Sequence, residues 1–323
     1  MAAEIITIPE TEDGVRLLRW FLRNFPSMPQ REFYKLCRGG QIRVNSRRVH
    51  GQEMLRAGDA VRVPPTVAGY SVRPKKTESG DNFSLADLEE LRKCIIHNDD
   101  DIVVFNKPAG LAVQGGSGIR KSVDKMAAAL FPYDKISLVH RLDKETSGLL
   151  VVAKNLRAAQ KLATAFQAKT AYKEYLALLN GNVVSNHGLI DDYIIKGQVF
   201  DTPARTNDGT GQRPQRAITE YRVLAHAGEH LSWVAFSPKT GRTHQLRVHS
   251  AFVLNAPIVG DSLYGAGCCA PDALATVTAT NNLFLFAYRL TFQHPTTGRM
   301  MTLRATPPQF MKVVMEFFEF QLP

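Results

Sequence analysis

One carboxylate in this sequence stands where it could do chemistry. Asp143 lies in Val139-His140-Arg141-Leu142-Asp143-Lys144-Glu145-Thr146-Ser147-Gly148, just ahead of the β-rich run Leu149 to Val152, so a polar turn delivers its side chain beside a sheet. A carboxylate held there can attack an electrophilic carbon, stabilise a cation or carry a proton. Flanked by His140, Arg141 and Lys144, it also looks like a salt-bridged or capping aspartate, and the residues alone leave both readings open. The histidines His140, His244 and His249 invite a metal site. They lack HxH spacing and an accompanying carboxylate cluster, and residues five apart do not share a helix face. Cys37, Cys94, Cys268 and Cys269 form no CxxC pair and suggest no disulfide framework, which points to a reducing compartment.

The chain around these residues is large and basic. With 323 residues, 44% of them apolar, it can bury the core of one large domain and leave room for a small one. The formal net charge is +10, which favours polyanionic partners, either nucleic acid or an anionic membrane surface. Between Gly14 and Pro64 there are eleven Lys or Arg against three acids, so that segment alone carries +8. No apolar run approaches the roughly 18 residues of a membrane span. Acids occupy Met1 to Glu12, where a signal peptide would be positive, so a soluble cytoplasmic protein is expected, as a monomer and without membrane contact.

The elements that must position Asp143 follow from periodicity. Leu18, Phe21, Leu22 and Phe25 recur at helical spacing. Pro26 and Pro29 separate this helix from a second that runs to Arg38 and stops at Gly39-Gly40. Gln41 to Asn45 alternates as a strand, and another follows around Asp59 to Val63. Residues 14–64 therefore form a small helix-helix-hairpin unit. A linker rich in Pro, Gly, Ser and charge spans 65–83, and Ser84 with Asp87 has the form of a capping box. From 84 to 323 short β-rich runs (Ile102 to Phe105, Leu149 to Val152, Tyr175 to Leu179, Ile218 to Leu224, Leu231 to Phe236) mix with helices, the clearest carrying Leu156, Ala159, Leu162, Ala163 and Phe166. The fold class is α+β with a mixed, mostly antiparallel sheet. A C-terminal helix with Phe310, Met311, Val313, Val314, Phe317 and Phe318 should pack onto this domain. The stretch Ala266 to Asn281 breaks pattern and reads as a variable loop.

Several motifs carry a resemblance to one family. HRLDKETSG at 140–148 is similar to the signature of the RluA family of RNA pseudouridine synthases. Asn106-Lys107-Pro108-Ala109-Gly110, the QGGSG loop at 114–118, Lys173-Glu174-Tyr175 and Gly241-Arg242-Thr243-His244-Gln245-Leu246-Arg247 resemble its other motifs, as do Pro257 to Asp261 and Tyr264-Gly265. REFYKLCRGGQIRVNSRRV at 31–49 resembles the small S-four RNA-binding domain, and this combination is most similar to the RluC type. The resemblance implies Asp143, Tyr175 and Arg247 as catalytic residues, with Arg247 pairing with Asp143. It implies Arg141 as the residue beside an everted nucleotide, although an ordinary phosphate contact fits it too, and Arg31, Lys35, Arg38, Arg43, Arg47 and Arg48 as phosphate contacts.

The implied reaction breaks the glycosidic carbon-nitrogen bond of uridine and rejoins uracil through carbon 5, with no net redox change, so neither cofactor nor metal is expected. Asp143 would meet the ribose or the uracil ring, a choice the sequence leaves open. Arg247 would keep it ionised, and Tyr175 would act as or position a base. The expected partner is structured RNA, with large-subunit (23S) ribosomal RNA ahead of transfer or small-subunit RNA. The competing reading is a non-catalytic RNA-binding or ribosome-assembly factor.

Overall fold

The computed structural model describes residues 3–25, 28–70, 83–116, 118–132, 134–195, 198–200, 213–265 and 281–323. Strand β1 (Glu4–Thr7), helices α1 (Leu17–Asn24) and α2 (Gln30–Arg38), and strands β2 (Arg43–Val44), β3 (Arg47–Arg48) and β4 (Ala60–Val63) make the N-terminal unit. Its antiparallel sheet runs in the order β1-β4-β2-β3. The two helices close over a core in which the ring of Phe21 lies 4.9 Å from Phe25 and 5.1 Å from Phe33. Between β2 and β3, Asn45 and Ser46 both take positive φ (49° and 64°), the backbone a two-residue hairpin requires. Asn45 secures the turn through Asp59 Oδ1 (2.7 Å) and the Ala60 amide (2.8 Å).

This unit is wider than 14–64. Strand β1 enters ahead of it by pairing with β4, and a 3-10 segment after it, Pro65–Tyr70, buries Val67 in the same core. The rest of the expected linker, 71–82, falls outside the described residues, as do residues 266–280 of the expected variable loop with Cys268 and Cys269.

The larger unit follows as α3 (Leu85–Lys93), β5 (Ile95–Asn98), β6 (Ile102–Lys107), α4 (Val123–Leu130), β7 (Ser137–Leu138), β8 (Ser147–Ala153), α5 (Leu156–Gln167), β9 (Tyr172–Asn180), β10 (His187–Ile195), β11 (Gln198–Phe200), β12 (Gln215–Ala227), β13 (Leu231–Pro238), α6 (Gln245–Val248), β14 (Leu285–Gln293), β15 (Met300–Arg304) and α7 (Gln309–Phe317). The main path of one sheet runs β11-β10-β12-β13-β9-β14-β8-β6-β5, with β15 on β14 and β7 on β8. All these pairs are antiparallel except β14 with β8, which matches the mixed, mostly antiparallel expectation.

Strand β8 shows why its sequence reads as unbroken apolar residues. Leu149, Val151 and Ala153 face one cluster with Ala158 and Leu162 of α5. Leu150 and Val152 face the opposite cluster with Phe105, Val123 and Met126. Both faces are covered, so both sets of the period-2 alternation must be apolar. Ser84 caps α3 through the expected reciprocal box with Asp87. Helix α7 lies on the sheet through Met311 and Val314, with Phe310 5.0 Å from Phe284. Among the described residues no helix is long and apolar enough to cross a membrane.

Candidate active site

The turn 139–146, the start of β9 and the segment from β13 into α6 converge around a cavity of about 600 Å³, lined among others by Asp143, Tyr175, Arg247, Arg141, His244 and Lys173. That volume suits a nucleotide-sized ligand. The turn is fixed from three sides. Fully buried Lys107, at the end of β6, donates through Nζ to the carbonyls of Pro108 (2.9 Å), Leu111 (2.8 Å) and Lys144 (2.9 Å). The amide of Gly110 reaches the same Lys144 carbonyl (3.0 Å), so the Asn106 to Gly110 motif clamps the residue next to Asp143. His140 accepts from the Val151 amide through Nε2 (2.9 Å) and stacks on Phe166. Burial, with Lys173 nearby, pulls its pKa down to about 3, so it is a neutral anchor. Gly148 completes the turn at φ +109°, where an added Cβ would collide with the backbone of Ala287, including its nitrogen at 2.7 Å. Only glycine lets β8 run parallel against β14 at this point.

Tyr175 pairs with Phe236 on β13 and Ala287 on β14 and turns its ring into the cavity. Burial and then the Asp143 charge push its phenol above the ordinary tyrosine range, so it is protonated at neutral pH.

Arg247 differs from expectation. Its guanidinium donates from Nε to Asp261 Oδ2 (2.8 Å) and from a terminal nitrogen to Oδ1 (2.6 Å), and the two side chains are 5% and 0% exposed. The bidentate partner is therefore Asp261, not Asp143, which acts on Arg247 through space. The reason is local: Asp261 is locked by the amides of Leu263 (2.9 Å) and Tyr264 (3.0 Å), so its carboxylate already meets the fork of the arginine. Burial opposes the charge on both groups. Their mutual hydrogen bonds outweigh it, raising the Arg247 pKa and lowering that of Asp261.

Asp143 itself is 28% exposed. A nearby cation-capable group is His244, whose Nε2 lies 4.0 Å from Asp143 Oδ1. His244 holds a left-handed backbone (φ 54°) at the start of α6, and its Nδ1 is 2.8 Å from the Tyr264 hydroxyl. A carboxylate, a protonated phenol and an arginine held by its own counter-ion thus face one cavity.

Comparison with known proteins agrees with this geometry. Residues 101–252 match the RNA pseudouridylate synthase family. The ribosomal large subunit pseudouridine synthase C of Escherichia coli is 33% identical over 316 residues, 96% of this chain and 95% of that protein. The protein of the same name from Yersinia pestis is 35% identical over 303 residues, covering 94% and 91%. The chain belongs to the RNA pseudouridylate synthase family. The solved structure of human RNA pseudouridylate synthase domain containing 4 superposes on this synthase with a TM-score of 0.62 at 26% identity, covering 74% of this chain and 97% of that one.

The remaining expected residues of the synthase sit outside its floor. Arg141 is at the rim, where it donates to Thr243 Oγ1 (3.1 Å) and so ties the turn to the segment before α6. Arg31, Lys35 and Arg38 share the exposed face of α2, and Lys35 meets Glu32 at 3.5 Å. Arg47 and Arg48 are exposed on β3. Arg43 instead braces its own hairpin, donating to the carbonyls of Gly40 (3.0 Å) and Ser46 (3.3 Å).

Sequence reasoning quoted the segments holding Asp261, His244, Tyr264 and Lys107 without assigning them roles. The buried charge of Asp261 and the glycine-like backbone of His244 appear only in three dimensions. Away from the cavity, Asp99, Asp101 and His294 lie close enough to hold a cation. Their atoms are already engaged. Asp99 accepts from the Asp101 and Ile102 amides and meets His97 and His294, while the Lys154 ammonium donates to the Asp99 carbonyl. This donor set fits a hydrogen-bonded junction of two turns better than a metal.

Proposed function

We propose that this synthase isomerises specific uridines of large-subunit ribosomal RNA, as a cytoplasmic monomer that needs neither metal nor organic cofactor. The observation that carries the reading is the convergence of Asp143, Tyr175 and Arg247 on one nucleotide-sized cavity. The names of the bacterial relatives support the choice of RNA. The basic N-terminal unit, with Arg31, Lys35, Arg38, Arg47 and Arg48 outward, supplies affinity through phosphates without reading sequence.

The target nucleotide leaves its stack, at a cost of a few kcal/mol, and enters the cavity. Arg141 releases Thr243 and occupies space beside the everted residue. The Asp143 carboxylate meets the ribose carbon or the uracil ring as the carbon-nitrogen bond breaks, the base turns, and carbon 5 joins the ribose. The hydrogen on carbon 5 leaves as a proton and the freed ring nitrogen gains one, so atoms balance. Tyr175, protonated at neutral pH, stacks on and positions the uracil rather than acting as a free base. Arg247, anchored by Asp261, acts on Asp143 through space and leaves it free of a direct ion pair.

Mapping pseudouridines in ribosomal and transfer RNA from cells with and without the gene tests the reading. Large-subunit sites that disappear with the gene are expected. Losses confined to transfer or small-subunit RNA would move the substrate, and no loss anywhere would favour the non-catalytic RNA-binding factor.

A further inference from the structure

Strand β9 divides its polar side chains between two faces. Glu174 turns away from the cavity to Arg289 (3.0 Å) and the Tyr172 hydroxyl (3.2 Å). Lys173 and Tyr175, two positions apart, share the opposite face and line the cavity. The Lys173 ammonium is unusual there. Among the described residues it has no carboxylate and no hydrogen-bond acceptor, and its contact is the ring of Phe166, 5.9 Å from Nζ. Phe166 is in turn stacked on neutral His140, 4.6 Å between centroids. The carboxylates nearby are committed elsewhere: Glu174 to Arg289, and Asp143 towards His244.

A partly desolvated ammonium backed by two rings and lacking a counter-ion is a poor structural element and a ready anion site. Burial lowers its pKa, so an incoming anion would reverse that destabilisation. The spacing along the strand is about 7 Å from Lys173 to Tyr175, a reach that joins a base stacked on the phenol to its own sugar-phosphate backbone.

We propose that Lys173 binds the backbone phosphate of the everted nucleotide and so sets the depth to which uridine enters the cavity. This rests on the synthase reading above. Lys173 is a substrate-binding residue in this account, and it takes no part in bond breaking.

The test uses the full chain and a large-subunit ribosomal RNA transcript carrying tritium at carbon 5 of uridine. Binding is measured at several salt concentrations for wild type, Lys173→Met and Lys173→Arg, and tritium release gives KM and kcat. Loss of one phosphate contact should make the salt dependence of log affinity shallower by about one unit. Lys173→Met should raise KM roughly tenfold with a smaller change in kcat, and Lys173→Arg should restore the slope. A merely structural lysine would leave the slope of a folded Lys173→Met protein unchanged, and that result overturns the proposal, as does a loss confined to kcat. If wild type releases no tritium from any ribosomal RNA, the function reading fails first and the inference falls with it.

Discussion

Asp261→Asn removes a charge from the cavity wall without changing its shape, and the hydrogen bonds dictate how the new amide must turn. Oδ1 of Asp261 receives the Leu263 and Tyr264 amides as well as one guanidinium nitrogen of Arg247. An asparagine must keep its oxygen there, which points its NH2 at the Nε hydrogen of Arg247, now 2.8 Å from Oδ2. Two donors then face each other, and a guanidinium only 5% exposed loses its counter-ion. Removing one partner of a buried pair costs about 3 to 5 kcal/mol. The arginine can recover part of this by swinging to Asp143, which would tie up the reacting carboxylate. Stability should therefore fall by a few kcal/mol in urea denaturation, and kcat for tritium release should drop by roughly two orders of magnitude, with KM for RNA nearly unchanged. An Asp261→Asn enzyme with wild-type kcat and stability would refute the assignment of Asp261 as the anchor of Arg247.

Other perturbations follow from the same contacts. Gly148→Ala places a methyl group against the Ala287 backbone and should cost about 3 kcal/mol or more, read as a lower denaturation midpoint or failure to fold; a neutral result would mean β8 and β14 do not meet as described. Lys107→Met strands the carbonyls of Pro108 and Leu111, each worth about 1 to 3 kcal/mol when unpaired, while Lys144 keeps the Gly110 amide, and should lower Tm and kcat together while RNA binding persists; an unchanged kcat would separate the clamp from catalysis. His140 and His249 are neutral in the fold because burial lowers their pKa to about 3 and about 4. The unfolded chain takes up these protons first, near pH 6.5, so stability is complete above that pH and is lost as pH falls to about 4 for His249 and about 3 for His140. Denaturation at a series of pH values checks this, and a flat profile would contradict it.

How much of this was legible beforehand depends on the kind of contact. The apolar runs of β6, β8, β9, β12 and β13 and the helical spacing of apolar residues in α5 announced themselves because burial repeats with the element's period. Strand β1 did not, since Glu4 to Thr7 is short and its identity comes from pairing with β4, more than fifty residues away. Asp143 and Tyr175 could be picked from local motifs. The partner of Arg247 could not, because two acids compete for one guanidinium and the backbone amides at Leu263 and Tyr264 decide between them. The Lys173 ammonium, without a carboxylate partner among the described residues, was equally hidden, since a counter-ion is a property of surroundings.

The most direct test of the account is tritium release by Asp143→Ala beside its RNA affinity. The account predicts a folded protein that still binds large-subunit ribosomal RNA and releases no tritium above background. Release at the wild-type rate would contradict it, because the carboxylate at the head of β8 would then play no part in the reaction.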